Sequence, residues 1–352
     1  MAEIHLQSLA HAYAPGGGYA LEPLDMTWRH GGTYALLGPS GCGKSTLLNI
    51  ISGLLRPSEG RVLFDGRDVT TLGTGQRNIA QVFQVPVIYR SMTVGQNLAF
   101  PLTCRGVPSA RIRARVDTIA ERLSLTHLLK RSANALSADQ KQLVSLGRGL
   151  VREDVAAILL DEPLTVIDPQ QKFDLCRILK EINAEFRLTM VLVTHDQTEA
   201  MTFAEEVIVM NHGEVVQAGS PRTLFELPAT EHVGHFIGSP AMNFLPAQAE
   251  SGRATVPGTR LSLPLPDGLV SDGLALGFRP EHVRLVSGNG LMSGPVTRLW
   301  FEGLDEIVAL SHPAGVVRLR APAGLGLKIG DTAHFTLRDD ALRLYRNGRL
   351  IA

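Results

Sequence analysis

The sequence predicts an α/β domain with a helical subdomain, followed by a C-terminal all-β domain that closes into a small barrel. Three observations support this fold class. Residues Gly38 to Ser45 match the phosphate-binding pattern G-x-x-x-x-G-K-[ST] between a predicted strand and a predicted helix. A later strand, apolar on both faces, ends in the acids Asp161 and Glu162. After Gly238, long helical patterns give way to short alternating strands separated by Gly, Pro and Asp.

The phosphate-binding pattern lies in the context that it needs. The run from Thr33 to Leu37 predicts a buried strand, and the pattern from Thr46 predicts a helix that ends near Gly53. Glycines let backbone N–H groups converge on phosphate oxygens, while Lys44 reaches the β and γ phosphates and the Ser45 hydroxyl contacts Mg²⁺. The predicted nucleotide-binding residues of this loop are Gly38, Pro39, Ser40, Gly41, Cys42, Gly43, Lys44, Ser45 and Thr46.

The segments around this loop predict further strands. Residues 3–24 alternate apolar and polar positions, which indicates edge strands broken by a turn at Pro15 to Gly18. Tyr13 either stacks on an adenine ring or is an ordinary half-buried sheet residue, and both interpretations stay open. Residues 61–66 predict a hairpin strand with an Asp-Gly turn, and residues 79–84 predict a strand that ends on Gln84.

Helical patterns dominate the middle of the chain. Residues 108–136 predict a helix whose basic start is a solvated face, and a second helical stretch runs from Leu136-Ser137-Ala138-Asp139-Gln140 through Leu150. The strand at 155–160 then carries Asp161, which would hold Mg²⁺ through water, and Glu162, which would polarise the attacking water. Alone, these acids are equally well explained as a charged strand end.

The next segment predicts a helix and a strand. Asp168 followed by Pro169 is typical of a helix start, and this helix extends to about Phe186 with Phe173, Cys176, Leu179 and Ile182 facing inward. A strand over 189–194 ends on His195, which lies at the same sheet edge as Asp161 and can reach a γ-phosphate. A structural role for His195 is the alternative.

The domain organisation follows from these patterns. The first domain spans residues 1–237, with its helical subdomain at about 88–155, and the β-domain spans residues 238–352.

Composition narrows the classes of function. Lys plus Arg and Asp plus Glu both total 34, so a nucleic-acid partner is disfavoured. The longest apolar runs are far shorter than a membrane span, which predicts a soluble protein of the cytosol. The three cysteines are widely spaced and lack metal-ligand spacing, as expected in a reducing compartment, and Cys42 fills a position that needs a small side chain.

Taken together, these residues resemble the ATP-binding subunits of carbohydrate-import ABC transporters, which take up maltose, glycerol 3-phosphate or glycerol. The segments 238–244 and 277–282 resemble two phrases of that family's OB-like regulatory β-domain. The passage from Val85 to Pro101 is most similar to the glycerol-type branch. The resemblance implies ATP and Mg²⁺ as ligands, and it implies these roles: adenine stacking for Tyr13, contact with Mg²⁺ and the attacking water for Gln84, Mg²⁺ binding for Ser45 and Asp161, catalysis for Glu162 and His195, and an inter-subunit contact for Asp168.

The resemblance also implies partners and a location. They are a second ATP-binding subunit, two membrane permease subunits and, indirectly, a periplasmic or extracellular solute-binding protein. The chain would be peripheral at the cytoplasmic face of the inner membrane. The transported solute is a property of the other subunits.

One motif departs from the family pattern. The signature Leu-Ser-Gly-Gly-Gln, which acts on the partner subunit's ATP, is replaced by Leu136, Ser137, Ala138, Asp139 and Gln140. We therefore hypothesise that the chain pairs with a non-identical ATPase subunit that has an intact signature, whereas a homodimer would have two impaired sites. The alternative function is a regulatory subunit that binds ATP with little hydrolysis. Residues Leu164 to Ile167, before Asp168, also depart from the usual small-residue sequence.

Overall fold

The computed structural model describes residues 2–266, 268, 272–338 and 340–351. They form two compact units, Met1–Pro221 and Arg222–Ala352. Among the described residues, the structure shows no helix that combines the length and the apolar character needed to cross a membrane. The elements of the first unit are β1 (Ile4–His11), β2 (Leu21–Trp28), β3 (Thr33–Leu37), α1 (Lys44–Ser52), β4 (Glu59–Phe64), β5 (Arg67–Asp68), α2 (Thr74–Arg77), β6 (Ala80–Val82), α3 (Val94–Thr103), α4 (Ser109–Arg122), α5 (Ala138–Leu150), β7 (Ile158–Asp161), α6 (Pro169–Phe186), β8 (Met190–Thr194), α7 (Gln197–Phe203), β9 (Glu206–Asn211) and β10 (Glu214–Gly219).

Two sheets form the frame of the first unit. The larger has the strand order β10-β9-β3-β8-β7-β6, with parallel pairing from β9 to β6 and an antiparallel β10. Strand β3 is fully buried, because β8 and β9 flank it within the sheet. The smaller sheet is antiparallel, in the order β2-β1-β4-β5. The carboxyl ends of β3, β7 and β8 share one edge, where ligands of such sheets bind.

The second unit contains two short helices and an all-β core. Its elements are α8 (Pro221–Glu226), α9 (Glu231–Phe236), β11 (Asn243–Pro246), β12 (Gln248–Glu250), β13 (Arg253–Thr255), β14 (Ser262–Pro264), β15 (Leu274–Phe278), β16 (Val283–Val286), β17 (Met292–Glu302), β18 (Asp305–His312), β19 (Gly315–Pro322), β20 (Thr332–Leu337), β21 (Arg343–Arg346) and β22 (Arg349–Leu350). The strands form three sheets, in the orders β11-β15-β21-β22, β12-β13-β14 and β16-β20-β17-β18-β19. Their inward residues make one apolar cluster that includes Phe278 and Phe335.

The second unit begins before the domain boundary predicted at residue 238. Arg279 is 2% exposed and donates hydrogen bonds to the carbonyl oxygens of Phe225, Gly234 and Ile237. The N–H of Glu231 donates to Gly348 O at 2.8 Å. These bonds fix helices α8 and α9 to the β-core.

Several predicted elements differ from the structure. The helix predicted over 108–136 ends at Arg122, because Ser124 takes a left-handed conformation (φ 55°) and the N–H of Leu125 closes onto Ala120 O. The strand predicted over 79–84 is limited to Ala80–Val82. Residues 197–237, for which the sequence predicted no element, form α7, β9, β10, α8 and α9.

The predicted inward face of α6 contains one error. Cys176, Leu179 and Ile182 are buried, but Phe173 is 55% exposed, so its inward assignment is wrong. The buried stripe continues toward Lys172 instead, whose side chain is 21% exposed.

Candidate functional site

The phosphate loop connects the buried strand β3 to helix α1, as predicted. Gly43 has φ 98°, and a Cβ on it would lie 2.7 Å from the carbonyl oxygen of Ala20. A Cβ on Gly38 would lie 2.3 Å from the carbonyl oxygen of Met210. Glycine is therefore required at both positions, by close backbone approach and, at Gly43, also by conformation. Cys42 is 3% exposed, in agreement with the small buried side chain expected there.

Lys44 is folded back over the loop. Its side chain is buried at 5% exposure, and Nζ donates to the carbonyl oxygens of Gly38 at 2.8 Å and Pro39 at 2.9 Å. The ammonium group stands at the N-terminus of α1, where the helix dipole also favours an anion. Positive charge and backbone donors are thus concentrated where the motif places phosphate.

A cleft of about 390 Å³ opens beside the loop and includes Tyr13 and Glu162 in its lining. The Tyr13 hydroxyl lies 3.0 Å from Thr46 Oγ1, and its ring packs edge-on against His11 at 4.7 Å between centroids. Because Tyr13 remains 67% exposed, its ring is accessible to a planar group. Adenine stacking on Tyr13 stays a prediction.

Asp161 ends strand β7 close to Lys44 and Ser45 of the loop. Burial, followed by the charge of Glu162, raises the pKa of Asp161, while Lys44 and Ser45 oppose this rise. A cation bound near Asp161 and Glu162 would offset the electrostatic repulsion between their two carboxylates. The donor set fits Mg²⁺, because a carboxylate, a hydroxyl and a nearby Gln84 amide offer hard oxygen ligands.

Two other predicted site residues, Gln84 and His195, contact Glu162. Its Oε2 lies 3.4 Å from Gln84 Nε2 and 3.4 Å from His195 Nδ1. Its backbone is in the left-handed region (φ 44°), which is uncommon for a residue with a side chain, and its N–H donates to Val193 O at 3.0 Å. This conformation directs the chain out of β7 immediately after Asp161. The structure therefore brings Gln84, Glu162 and His195 together at the sheet edge.

The sequence did not reveal the side chains behind His195. Glu199 is 5% exposed and accepts hydrogen bonds from Thr194 Oγ1 at 2.6 Å and Lys172 Nζ at 2.9 Å. The neighbouring Cys176 thiol has its pKa raised to about 12, first by burial and then by the charge of Glu199, so it stays protonated. The sequence predicted no element over 197–203, so no signal placed Glu199 on a buried helix face.

The remaining predicted residues lie outside the cleft of the phosphate loop. The N–H of Ser137 donates to Gln140 Oε1 at 3.2 Å at the start of α5, and half-buried Asp139 lies in the first turn. Ala138 lines a different cleft, of about 490 Å³, together with Val85 and Val166.

Asp168 is exposed and caps helix α6, where its Oδ1 accepts from the N–H of Gln170 at 3.0 Å. The signature segment and Asp168 thus present surface groups apart from this chain's own phosphate loop.

Comparison with known proteins agrees with both units. Residues 21–165 match the family model described as ABC transporter, and residues 238–283 match the MalK OB fold domain. The chain is 41% identical over 318 residues to the sn-glycerol-3-phosphate import ATP-binding protein UgpC of Chromohalobacter salexigens, covering 90% of this chain and 82% of that protein. The UgpC protein of Burkholderia thailandensis is 38% identical over 353 residues, with 98% of each chain covered.

A solved structure is also similar. It is cbiO1 from Clostridium perfringens, part of the ABC transporter complex cbiONQ, with a TM-score of 0.58 and 32% identity. The match covers 63% of this chain and 89% of cbiO1. The α/β fold and the C-terminal OB-type domain predicted from the sequence are thereby confirmed.

Proposed function

Because this chain belongs to the ATP-binding proteins of ABC transporters, we propose that it hydrolyses ATP to drive the import of glycerol 3-phosphate or a closely related polyol. The ATPase activity follows from membership of this family. The choice of solute is supported by the names of relatives that match nearly all of this chain. The glycerol-type character of residues 85–101 points to the same group of solutes.

The main observation behind the proposed chemistry is that Gln84 and His195 both contact the Glu162 carboxylate. The phosphate loop and Lys44 hold the triphosphate, and Ser45, Asp161 and Gln84 provide oxygen atoms for Mg²⁺. Mg²⁺ would supply positive charge that offsets the charge on the phosphate oxygens.

Glu162 then acts on water at the terminal phosphate. It lies one residue beyond Asp161, borders the cleft and is 21% exposed, so a water molecule can reach its carboxylate. Accepting a hydrogen bond from this water orients a lone pair toward the phosphorus atom. The Gln84 amide donates to the Glu162 carboxylate and limits its directions, and the exposed His195 ring can donate to a γ-phosphate oxygen.

A second subunit completes the site in this proposal. The signature segment and Asp168 lie apart from the chain's own loop, so they are available to a neighbouring chain. We propose a second, non-identical ATP-binding subunit, because Ala138 and Asp139 would impair one of the two sites. Two permease subunits and a solute-binding protein complete the importer, and the chain would be peripheral at the cytoplasmic face of the membrane.

One observation favours a second candidate function. Asp139 places a carboxylate where the family signature has a glycine, so the chain would bind ATP as a regulatory subunit and hydrolyse little of it. The two functions differ in what they require of Glu162.

The Glu162→Gln variant separates these functions. In the assembled importer, it should abolish solute uptake while ATP remains bound, because the amide cannot accept a proton from water as a carboxylate does. Uptake into vesicles and retention of labelled ATP are the measurements. Glu181→Gln, an exposed acid of α6, is the matched control and should leave uptake unchanged. Normal uptake with Glu162→Gln would favour the regulatory function.

A further inference from the structure

A buried group of polar contacts lies directly behind His195. Both carboxylate oxygens of Glu199 are engaged: Oε1 accepts from Lys172 Nζ at 2.9 Å, and Oε2 accepts from Thr194 Oγ1 at 2.6 Å. Glu199 is 5% exposed and Thr194 is 2% exposed. Burying a carboxylate is costly unless it is paired, and the Lys172 ammonium supplies a partner of opposite charge.

These contacts fix the backbone on both sides of His195. The Thr194 hydroxyl, which donates to Glu199, also accepts from the N–H of Asp196 at 3.0 Å. Asp196 in turn caps α7, with Oδ1 accepting from the N–H of Thr198 at 2.7 Å. The residues before and after His195 are therefore held by one hydrogen-bonded chain that ends on Glu199.

The His195 side chain itself is not held by packing. It is 56% exposed, and its Nδ1 lies 3.4 Å from Glu162 Oε2. The backbone sets the direction of the His195 Cα–Cβ bond, so the flanking contacts limit the ring positions from which Nδ1 can reach Glu162.

Lys172 links this backbone to another part of the site. It belongs to the first turns of α6, the helix that Asp168 caps. Burial lowers the pKa of Lys172, but the hydrogen bond and charge of Glu199, with Asp196, outweigh it and raise the pKa overall. The lysine is therefore charged at neutral pH, and its ion pair joins α6 to the end of β8.

We propose that Lys172 and Glu199 are positioning residues for ATP hydrolysis, because their ion pair holds the 194–196 backbone so that His195 faces Glu162. This inference rests on the proposed function, in which His195 and Glu162 act at the terminal phosphate.

The test compares Lys172→Met with Lys180→Met in the assembled importer. Lys180 is an exposed lysine on the same helix, so the control makes the same chemical change away from Glu199. We expect Lys172→Met to lower kcat about tenfold or more, since small misplacements of catalytic groups have effects of this size. The Kd for ATP, measured by direct titration, should stay within about twofold, because the phosphate loop is untouched. Lys172→Arg, which keeps the charge, should restore most of kcat.

The outcomes separate this inference from the proposed function. An equal loss of kcat and ATP affinity, no difference from Lys180→Met, or no rescue by Lys172→Arg would overturn the positioning role. Absence of ATP turnover in the wild-type importer would overturn the proposed function first and this inference with it. If Lys172→Met fails to fold, Thr194→Val decides: it removes the hydroxyl without unpairing a charge, and the same selective loss of kcat is expected.

Discussion

Replacing Asp139 by glycine should change activity and stability in opposite directions. Asp139 occupies the first turn of α5, where its negative charge faces the positive end of the helix dipole. Loss of that charge costs roughly 0.3–1 kcal/mol, and the lower helix propensity of glycine adds about 0.3 kcal/mol. The unfolding temperature should fall by about 2–4 °C.

The expected gain in activity comes from the phosphate that the signature faces in a dimer. A carboxylate about 5 Å from a phosphate oxygen repels each unit of negative charge by roughly 3 kcal/mol at an effective dielectric constant of about 20. Asp139 is only half-buried, so solvent reduces this repulsion. We expect a rise of about tenfold in ATP turnover of the purified chain alone, which corresponds to about 1.4 kcal/mol in the barrier.

The assay is steady-state ATP turnover of the purified chain, with thermal unfolding measured on the same samples. Asp139→Asn is the matched control, because it removes the charge and keeps a side chain. It should give most of the gain in turnover with a smaller loss of stability. Brisk turnover of the unaltered chain alone, left unchanged by Asp139→Gly, would refute both the repulsion and the need for a non-identical partner.

Three further predictions concern single side chains. Tyr13→Ala should weaken ATP binding by about 1–3 kcal/mol if its ring stacks on the base, whereas Tyr13→Phe should bind ATP normally in the same titration. Burial raises the pKa of Asp161, so folded protein binds more protons than unfolded protein, and ionisation costs stability as pH rises above about 4. Asp161→Asn should therefore lose less stability than wild type between pH 4 and neutrality in thermal unfolding, yet show no Mg²⁺-dependent turnover. Arg279→Met leaves three backbone carbonyls without their donor and should destabilise the second unit by about 2–4 kcal/mol in denaturant unfolding, with unchanged ATP affinity.

The sequence predicted well those features that local rules determine. Strand β3, the phosphate loop and helix α1 follow from an apolar run, a glycine pattern and a helical stretch that ends at Gly53. Helix α6 starts at the predicted Asp168-Pro169 pair and ends at Phe186 as expected. In each case, residues adjacent in the chain carry the whole signal.

Features that depend on distant contacts were missed. The ion pair of Lys172 and Glu199 joins two helices that are separated by strand β8, and no local pattern relates the two residues. Arg279 likewise draws α8 and α9 onto the β-core through backbone carbonyls of residues 225–237. Phe173 was placed inward because it is apolar, whereas the helix face that is buried passes through charged Lys172.

The central claim is that the loop from Gly38 to Ser45 binds the triphosphate of ATP, and Lys44→Ala tests it most directly. Lys44 is buried against the loop, and each charge-assisted hydrogen bond that it makes to phosphate is worth roughly 1.5–3 kcal/mol. Direct titration should show ATP affinity reduced by at least about tenfold, with Lys180→Ala unaffected. Normal affinity of the Lys44→Ala protein for ATP would contradict the account.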